Sequence, residues 1–209
     1  MVQIPDWHEV EITLVDHGKK VIEQFATEHS DLTCSFFAVA ADPLAGDFAF
    51  CFDTPQNALH EAMKQELHTL GERQAKSRDA EAWRYAGALS ASLLEYPMST
   101  ELFRYFSYAL VSFHWLEFAD SDVYPERLKG QEDYLQGHTR LVIWRALERL
   151  IAERTFLHLS LTSPFRVGYQ LSEEPLIVLR FLNWPDGEGH TIYSVLDSPL
   201  AQKKRGRNR

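Results

Sequence analysis

The chain has 209 residues, with 45% hydrophobic and 24% charged side chains. This is an ordinary soluble-globular balance, with enough apolar surface for a sizeable core that needs no metal or disulfide. The formal charge is -9, yet the last seven residues, Lys203-Lys204-Arg205-Gly206-Arg207-Asn208-Arg209, carry five cations and no anion, which leaves -14 on residues 1–202. A body of that sign opposes binding to long polyanions and attracts basic partners, and the tail does the reverse.

Asp6 is the expected N-cap of a first helix, in which Trp7, Val10, Leu14, Val21 and Phe25 recur at helical spacing. Gly18 falls on the same stripe, where a close neighbour would account for it, and the helix should end near His29-Ser30. Thr33–Ala41 and Phe48–Phe52 read as strands joined by the turn Asp42-Pro43-Leu44-Ala45-Gly46-Asp47, the clearest hairpin in the chain. Centring the hairpin on that turn pairs Ala38 with Cys51 and puts Cys34 on the same face, roughly 13 Å from Cys51 at ~3.3 Å per residue. That separation is too great for a disulfide, so two buried free thiols are expected.

Asp53-Thr54-Pro55 opens a second helix with Leu59, Met63, Leu67 and Leu70 as its buried stripe, followed by a polar loop at Arg73–Glu81. Trp83–Leu94 is ambiguous and leans to helix at its end. Ser99 or Thr100 then caps a helix whose face is Leu102, Phe106, Ala109, Phe113 and Leu116. A polar connection, Ala119–Gly130, leads to a long helix from about Tyr134 to Arg154. Ile143, Leu147, Leu150 and Ile151 face inward there, with Leu141 and Trp144 alongside, and Arg140, Arg145, Arg149 and Glu153 face solvent. Thr155–Leu161, Arg166–Gln170 and Leu176–Leu182 are β-like, Asn183–Gly187 is a turn, and Thr191–Leu196 is a short final element. The order implies an α+β single domain over residues 1–202, several amphipathic helices on a small, mainly antiparallel sheet, with 203–209 a basic, disordered tail.

Motifs for chemistry are sparse. Neither GxGxxG nor GxxxxGK[ST] occurs, and Gly187-Glu188-Gly189 has acidic neighbours that repel phosphate. GxSxG is absent, and both cysteines lie among Phe and Ala, where burial makes a thiol inert. His60 and His68 are two helical turns apart, roughly 12 Å, too far to share an ion. His60-Glu61 begins like HExxH, but Lys64 stands where the second histidine belongs. His114-Trp115 lies on an apolar run, and His158 stands two positions from Ser160. Asp120 and Asp122 form an Asp-x-Asp pair, which can hold Mg²⁺ when phosphates complete the shell, but no phosphate motif accompanies them. Glu173-Glu174 and Glu132-Asp133 are carboxylate pairs that nothing marks as general acid and base. No catalytic residue, metal ligand or cofactor is assigned. The N-terminus, Met1-Val2-Gln3-Ile4-Pro5-Asp6, has no basic or continuously apolar region of a signal peptide, and no apolar run approaches the roughly 20 residues that span a bilayer. The expected location is the cytoplasm, with no membrane association.

Several segments resemble an uncharacterised bacterial family of stand-alone cytosolic proteins. They are Ser35–Asp42, Phe52–Leu59, Ala80–Tyr85, Ala146–Leu150 with Phe156, and Val178–Asn183, within a match over most of residues 7–185. Genes of this family and similar ones often lie beside polymorphic toxin genes, where small acidic proteins serve as immunity partners. The resemblance implies a toxin-neutralising immunity partner and carries no catalytic residue; the acidic body and the lack of catalytic motifs point to a non-enzymatic protein that captures a basic toxin by direct contact. The tail and the acidic loop Asp120–Glu126 lie outside it. The expected partner surface is Asp120, Asp122, Glu126, Glu132 and Asp133, an acidic stretch flanking the polar connection. An enzyme of unknown class, metal-assisted through Asp120, Asp122 and histidines gathered by folding, stays open. So does a weaker nucleic-acid role through Lys203, Lys204, Arg205, Arg207 and Arg209.

Overall fold

A computed structural model describes residues 5–74, 98–113 and 130–182, with the side chains of 66–74 left aside. The first helix, α1, spans Trp7–Glu28. The Asp6 carboxylate accepts the His8 and Glu9 amides at 3.0 and 3.3 Å, satisfying two donors that the first turn leaves without helical partners. The buried face is the expected stripe from Val10 to Phe25 widened by Val15 and Ile22, with Trp7 half-buried at its start.

Strands β1 (Thr33–Asp42) and β2 (Asp47–Asp53) form the expected hairpin. Asp42 Oδ1 accepts the Leu44 and Ala45 amides at 2.9 and 3.1 Å, and Gly46 takes φ +79°. Ala38 pairs with Cys51, as the turn dictates. Cys34, however, does not share the Cys51 face. An irregularity between Cys34 and Phe36, in the pairing of β1 with the strand Ser160–Leu171, interrupts the side-chain alternation, so Cys34 joins the core cluster on one face and Cys51 the cluster on the other.

Helix α2 (Pro55–Gln74) begins where Pro55 predicts, with the Asn57 amide donating to Thr54 Oγ1 at 3.3 Å. It extends past Arg73, into the expected loop. The expected buried stripe is overturned for its described part. Ala58 and Ala62 are the buried positions, and Leu59 and Met63 are 40% and 47% exposed. The small side chains are on the covered side of the helix, and the larger ones are turned outward. Leu67 and Leu70 lie outside the described side chains.

The helix expected from Leu102 onward is not formed. A single 3-10 turn, Thr100–Leu102, is capped by Ser99, whose side chain accepts the Glu101 amide, and strand β3 (Tyr105–Ser112) follows. The spacing of Leu102, Phe106, Ala109 and Phe113 fits a helix, but the open edge of β2 offers a ladder to this segment, and tertiary pairing overrides local periodicity. The conflict survives as a bulge between Phe50 and Phe52 and as φ +50° at Ser107.

Helix α3 spans Glu132–Ala152 and buries Leu135, Thr139, Val142, Ile143, Ala146, Leu147 and Leu150. Of the expected inward residues, Ile151 is half-buried, and Trp144 beside them is exposed. Thr155–His158 is a 3-10 turn rather than the start of a strand. Beyond it, β4 (Ser160–Leu171) is a single strand whose pairing with β1 skips from Leu161 to Arg166, and β5 (Ile177–Leu182) returns antiparallel to it. The expected elements at Trp83–Leu94, Asn183–Gly187 and Thr191–Leu196, the body of the polar connection, and His114 lie outside the described residues.

The sheet order is β3-β2-β1-β4-β5, with β1 and β4 parallel and the other three pairings antiparallel, an α+β architecture. Helices α1 and α3 cover the first face. Phe25 stacks on Phe52 with centroids 4.0 Å apart, Phe37 meets Phe52 and Phe156 edge-on, and Leu150 fills the space that Gly18 leaves. Aromatic and aliphatic area removed from water, at ~25 cal/mol per Å², is the main stabilising term here. Ion pairs Lys19–Glu153 and Glu11–Arg149 close the outer seam of the two helices and add little at such exposure. No helix among the described residues is long and apolar enough to cross a membrane.

Candidate functional site

The second face of the sheet is organised in three cross-strand rows, because paired residues on neighbouring strands share a face. The first row is Arg166–Phe36–Asp53, the second Gly168–Ala38–Cys51, and the third Gln170–Ala40–Ala49–Leu110. The middle of the second and third rows is small, which leaves a trough.

The first two rows are covered by a strap, residues 99–104. Phe103 is buried and packs on Phe36 at 5.0 Å between centroids. One end of the strap is fixed by Asp53, whose Oδ1 accepts the Arg104 amide (3.1 Å) and Asn57 Nδ2 (2.8 Å). Asn57 Nδ2 also donates to the Leu102 carbonyl at 2.7 Å. The other end is fixed by Gln170. Its Oε1 accepts both the amide and the hydroxyl of Thr100 at 2.7 Å, and its Nε2 donates to the Glu174 carbonyl at 2.8 Å.

Asp53 is fully buried, and its Oδ2 has no hydrogen-bond partner. Burial pushes its carboxyl pKa up, against the pull of the Arg104 and Asn57 hydrogen bonds and the Arg166 charge. Burial likewise lowers Arg166 to about 10, against the pull of Asp53, and its guanidinium sits 4.6 Å over the Phe36 ring. Burial raises the Cys34 and Cys51 thiols to about 12 and about 11. Both are therefore protonated at neutral pH and poor nucleophiles, as their apolar setting implied.

Among the described residues no element covers the third row. Between the strap and the hairpin end lies a cleft of about 260 Å³, with Ala40, Ala49 and Gln170 among its lining residues. Phe106 and Leu110, 47% and 53% exposed, are its apolar side. Four acidic residues line it, Asp42, Asp47, Glu101 and Glu173, and among the described residues no cation pairs with any of them. Arg140 reaches the neighbouring Glu174 instead. Asp42 and Asp47 are held in place, the first by the turn amides and the second by the Ser112 hydroxyl at 2.5 Å. Among the described residues no histidine or cysteine lines the cleft. Its chemistry suits a cation on an aliphatic stem: carboxylates for the charge, alanines and Leu110 for the methylenes.

Of the expected partner surface, Asp120, Asp122 and Glu126 lie outside the described residues, as does the basic tail. Glu132 and Asp133 are exposed in the first turn of α3, where they complement the helix dipole, and neither lines the cleft. His60, Glu61 and Lys64 are on α2 with no ligand set around them, since no group of three or more His, Cys, Asp or Glu able to hold a metal occurs among the described residues. The acidic cleft was not identified in the sequence. Asp42 and Asp47 carried a turn signal only, and Gln170 and Glu101 carried none. No family model, curated protein or solved structure matches the chain.

Proposed function

We propose that the protein is a non-enzymatic binding protein of the bacterial cytoplasm that neutralises a basic toxin by direct contact, with the acidic cleft of the second sheet face as the centre of the contact. The observation that carries this reading is the set of four acidic residues around a concave, partly apolar floor, with no lysine or arginine among its described lining residues. A lysine or arginine from a partner would place its stem over Ala40 and Ala49 and its charge among the carboxylates. The body's excess negative charge would speed the encounter, particularly with a domain that itself binds nucleic acid. The family resemblance, with its association with toxin genes, supports the same role. Glu132 and Asp133, and the loop Asp120–Glu126, are the proposed periphery of the surface.

The test is co-expression with the product of the adjacent gene. The expected result is a stable one-to-one complex and protection of the host from that product, both lost in the double variant Glu101→Lys, Glu173→Lys. Full protection by that variant would remove the cleft from the contact surface, and absence of both complex and protection with the wild-type chain would overturn the reading.

A further inference from the structure

We propose that the chain's own basic segment, Lys203–Arg209, docks in the acidic cleft and occupies it until a partner displaces it. Two independent features meet in this inference. The structure supplies a concave site lined by Asp42, Asp47, Glu101 and Glu173 on an open part of the sheet. The sequence supplies a single run of five cations with no anion.

Reach permits the contact. Leu182 pairs with Phe165 on β4, and Gln170 of the cleft is five positions further along that strand, ~17 Å at about 3.3 Å per residue. The centre of the cleft is about two strands across, ~10 Å more. Some twenty residues separate Leu182 from Lys203, a contour of up to ~70 Å. The connection therefore spans the separation more than twice over, and tethering holds the segment at an effective concentration on the order of millimolar, so docking is intramolecular and does not depend on protein concentration.

The cleft admits one long side chain, not a heptapeptide. One lysine or arginine enters over Ala40 and Ala49, with Phe106 available to a guanidinium face, and the remaining cations sit at the carboxylate rim. Docking itself needs only the cleft and the tail. Its consequence, that a partner must displace the tail and so binds more slowly or more weakly, rests on the proposed function.

The experiment uses the full chain and a labelled synthetic peptide of sequence KKRGRNR at low ionic strength. One form is wild type. A second has a neutral tail, Lys203→Gln, Lys204→Gln, Arg205→Gln, Arg207→Gln and Arg209→Gln. A third adds Glu101→Gln and Glu173→Gln to the neutral tail. The expected result is that the neutral-tail chain binds the peptide, the wild type binds it at least fivefold more weakly because its own tail competes, and the third form binds it at least tenfold more weakly than the second. Equal binding by wild type and the neutral-tail chain, no binding by the neutral-tail chain, or no effect of the two glutamate changes would each overturn the proposal. No partner protein is present, so failure here is distinct from failure of the toxin-neutralising role.

Discussion

At the scale of single residues, the second sheet face sets the narrowest tolerances. A Cβ at Gly168 would lie 2.2 Å from the Ile177 carbonyl oxygen and 3.2 Å from the Phe36 ring. The first neighbour is backbone of β5 and cannot swing aside. Gly168→Ala should therefore destabilise the protein by ~2 kcal/mol or more, the range of overpacked cores, a fall of several degrees in Tm on thermal melting. An unchanged Tm would mean that β5 slides at no cost.

Asp53 makes a second prediction, one of pH. Its folded pKa is raised above the unfolded value, mainly by burial. The native state holds that proton more tightly than the unfolded chain, so the contribution to stability is present below about pH 4 and is lost as pH rises through the folded pKa. Asp53→Asn keeps an oxygen for the Arg104 and Asn57 donors but does not titrate. In urea unfolding, wild type should lose stability relative to Asp53→Asn as pH is raised from 3.5 to 7, and parallel profiles would sink the assignment.

At the scale of elements, the strap is the part that shapes the cleft, and Gln170 is its main fastener. The Thr100 amide and hydroxyl both end on Gln170 Oε1, and Thr100 is buried. Gln170→Ala leaves those two donors without a partner. At about 1–3 kcal/mol for each unsatisfied buried group, partly relieved by water entering from the cleft, a loss of ~2 kcal/mol is expected. Hydrogen exchange should accelerate at Thr100 and Phe103 and stay unchanged in α1. Uniform acceleration would place the effect in global unfolding instead.

These contacts join positions 70 residues apart, and for that reason the cleft was not legible in the sequence. What was legible is local. The Asp6 cap, the α1 stripe, the Asp42–Asp47 turn and the Ala38–Cys51 pairing are each dictated within a few residues. Gly18 on the α1 stripe implies a close neighbour, and Leu150 is that neighbour: a Cβ at Gly18 would lie 3.0 Å from its side chain. The misreadings share one cause. In β3 an edge left open by β2 captured a segment whose spacing fitted a helix. In α2 the covered side of the helix holds Ala58 and Ala62 rather than Leu59 and Met63. In β1 the irregularity before Phe36 moved Cys34 to the other face. Tertiary geometry decided each case, and local pattern carries no record of it.

At the scale of the whole molecule, charge acts in two ways that kinetics can separate. Steering depends on the net field and governs the encounter rate, whereas contacts in a desolvated cleft govern residence. Glu132 and Asp133 are exposed at the start of α3 and do not line the cleft, whereas Glu101 and Glu173 do. Reversing either pair to lysine changes the formal charge equally, from -9 to about -5. With decalysine as a basic probe, both double variants should therefore slow association to a similar degree, and the slowing should fade as salt shortens the Debye length to about 8 Å at 0.15 M. Only the Glu101→Lys, Glu173→Lys variant should also speed dissociation, by tenfold or more, and that difference should persist at 0.15 M salt. If the Glu132→Lys, Asp133→Lys variant instead accelerates dissociation while the cleft variant does not, the contact centre belongs at the start of α3, as the sequence first indicated, and the open row of the sheet is a bystander.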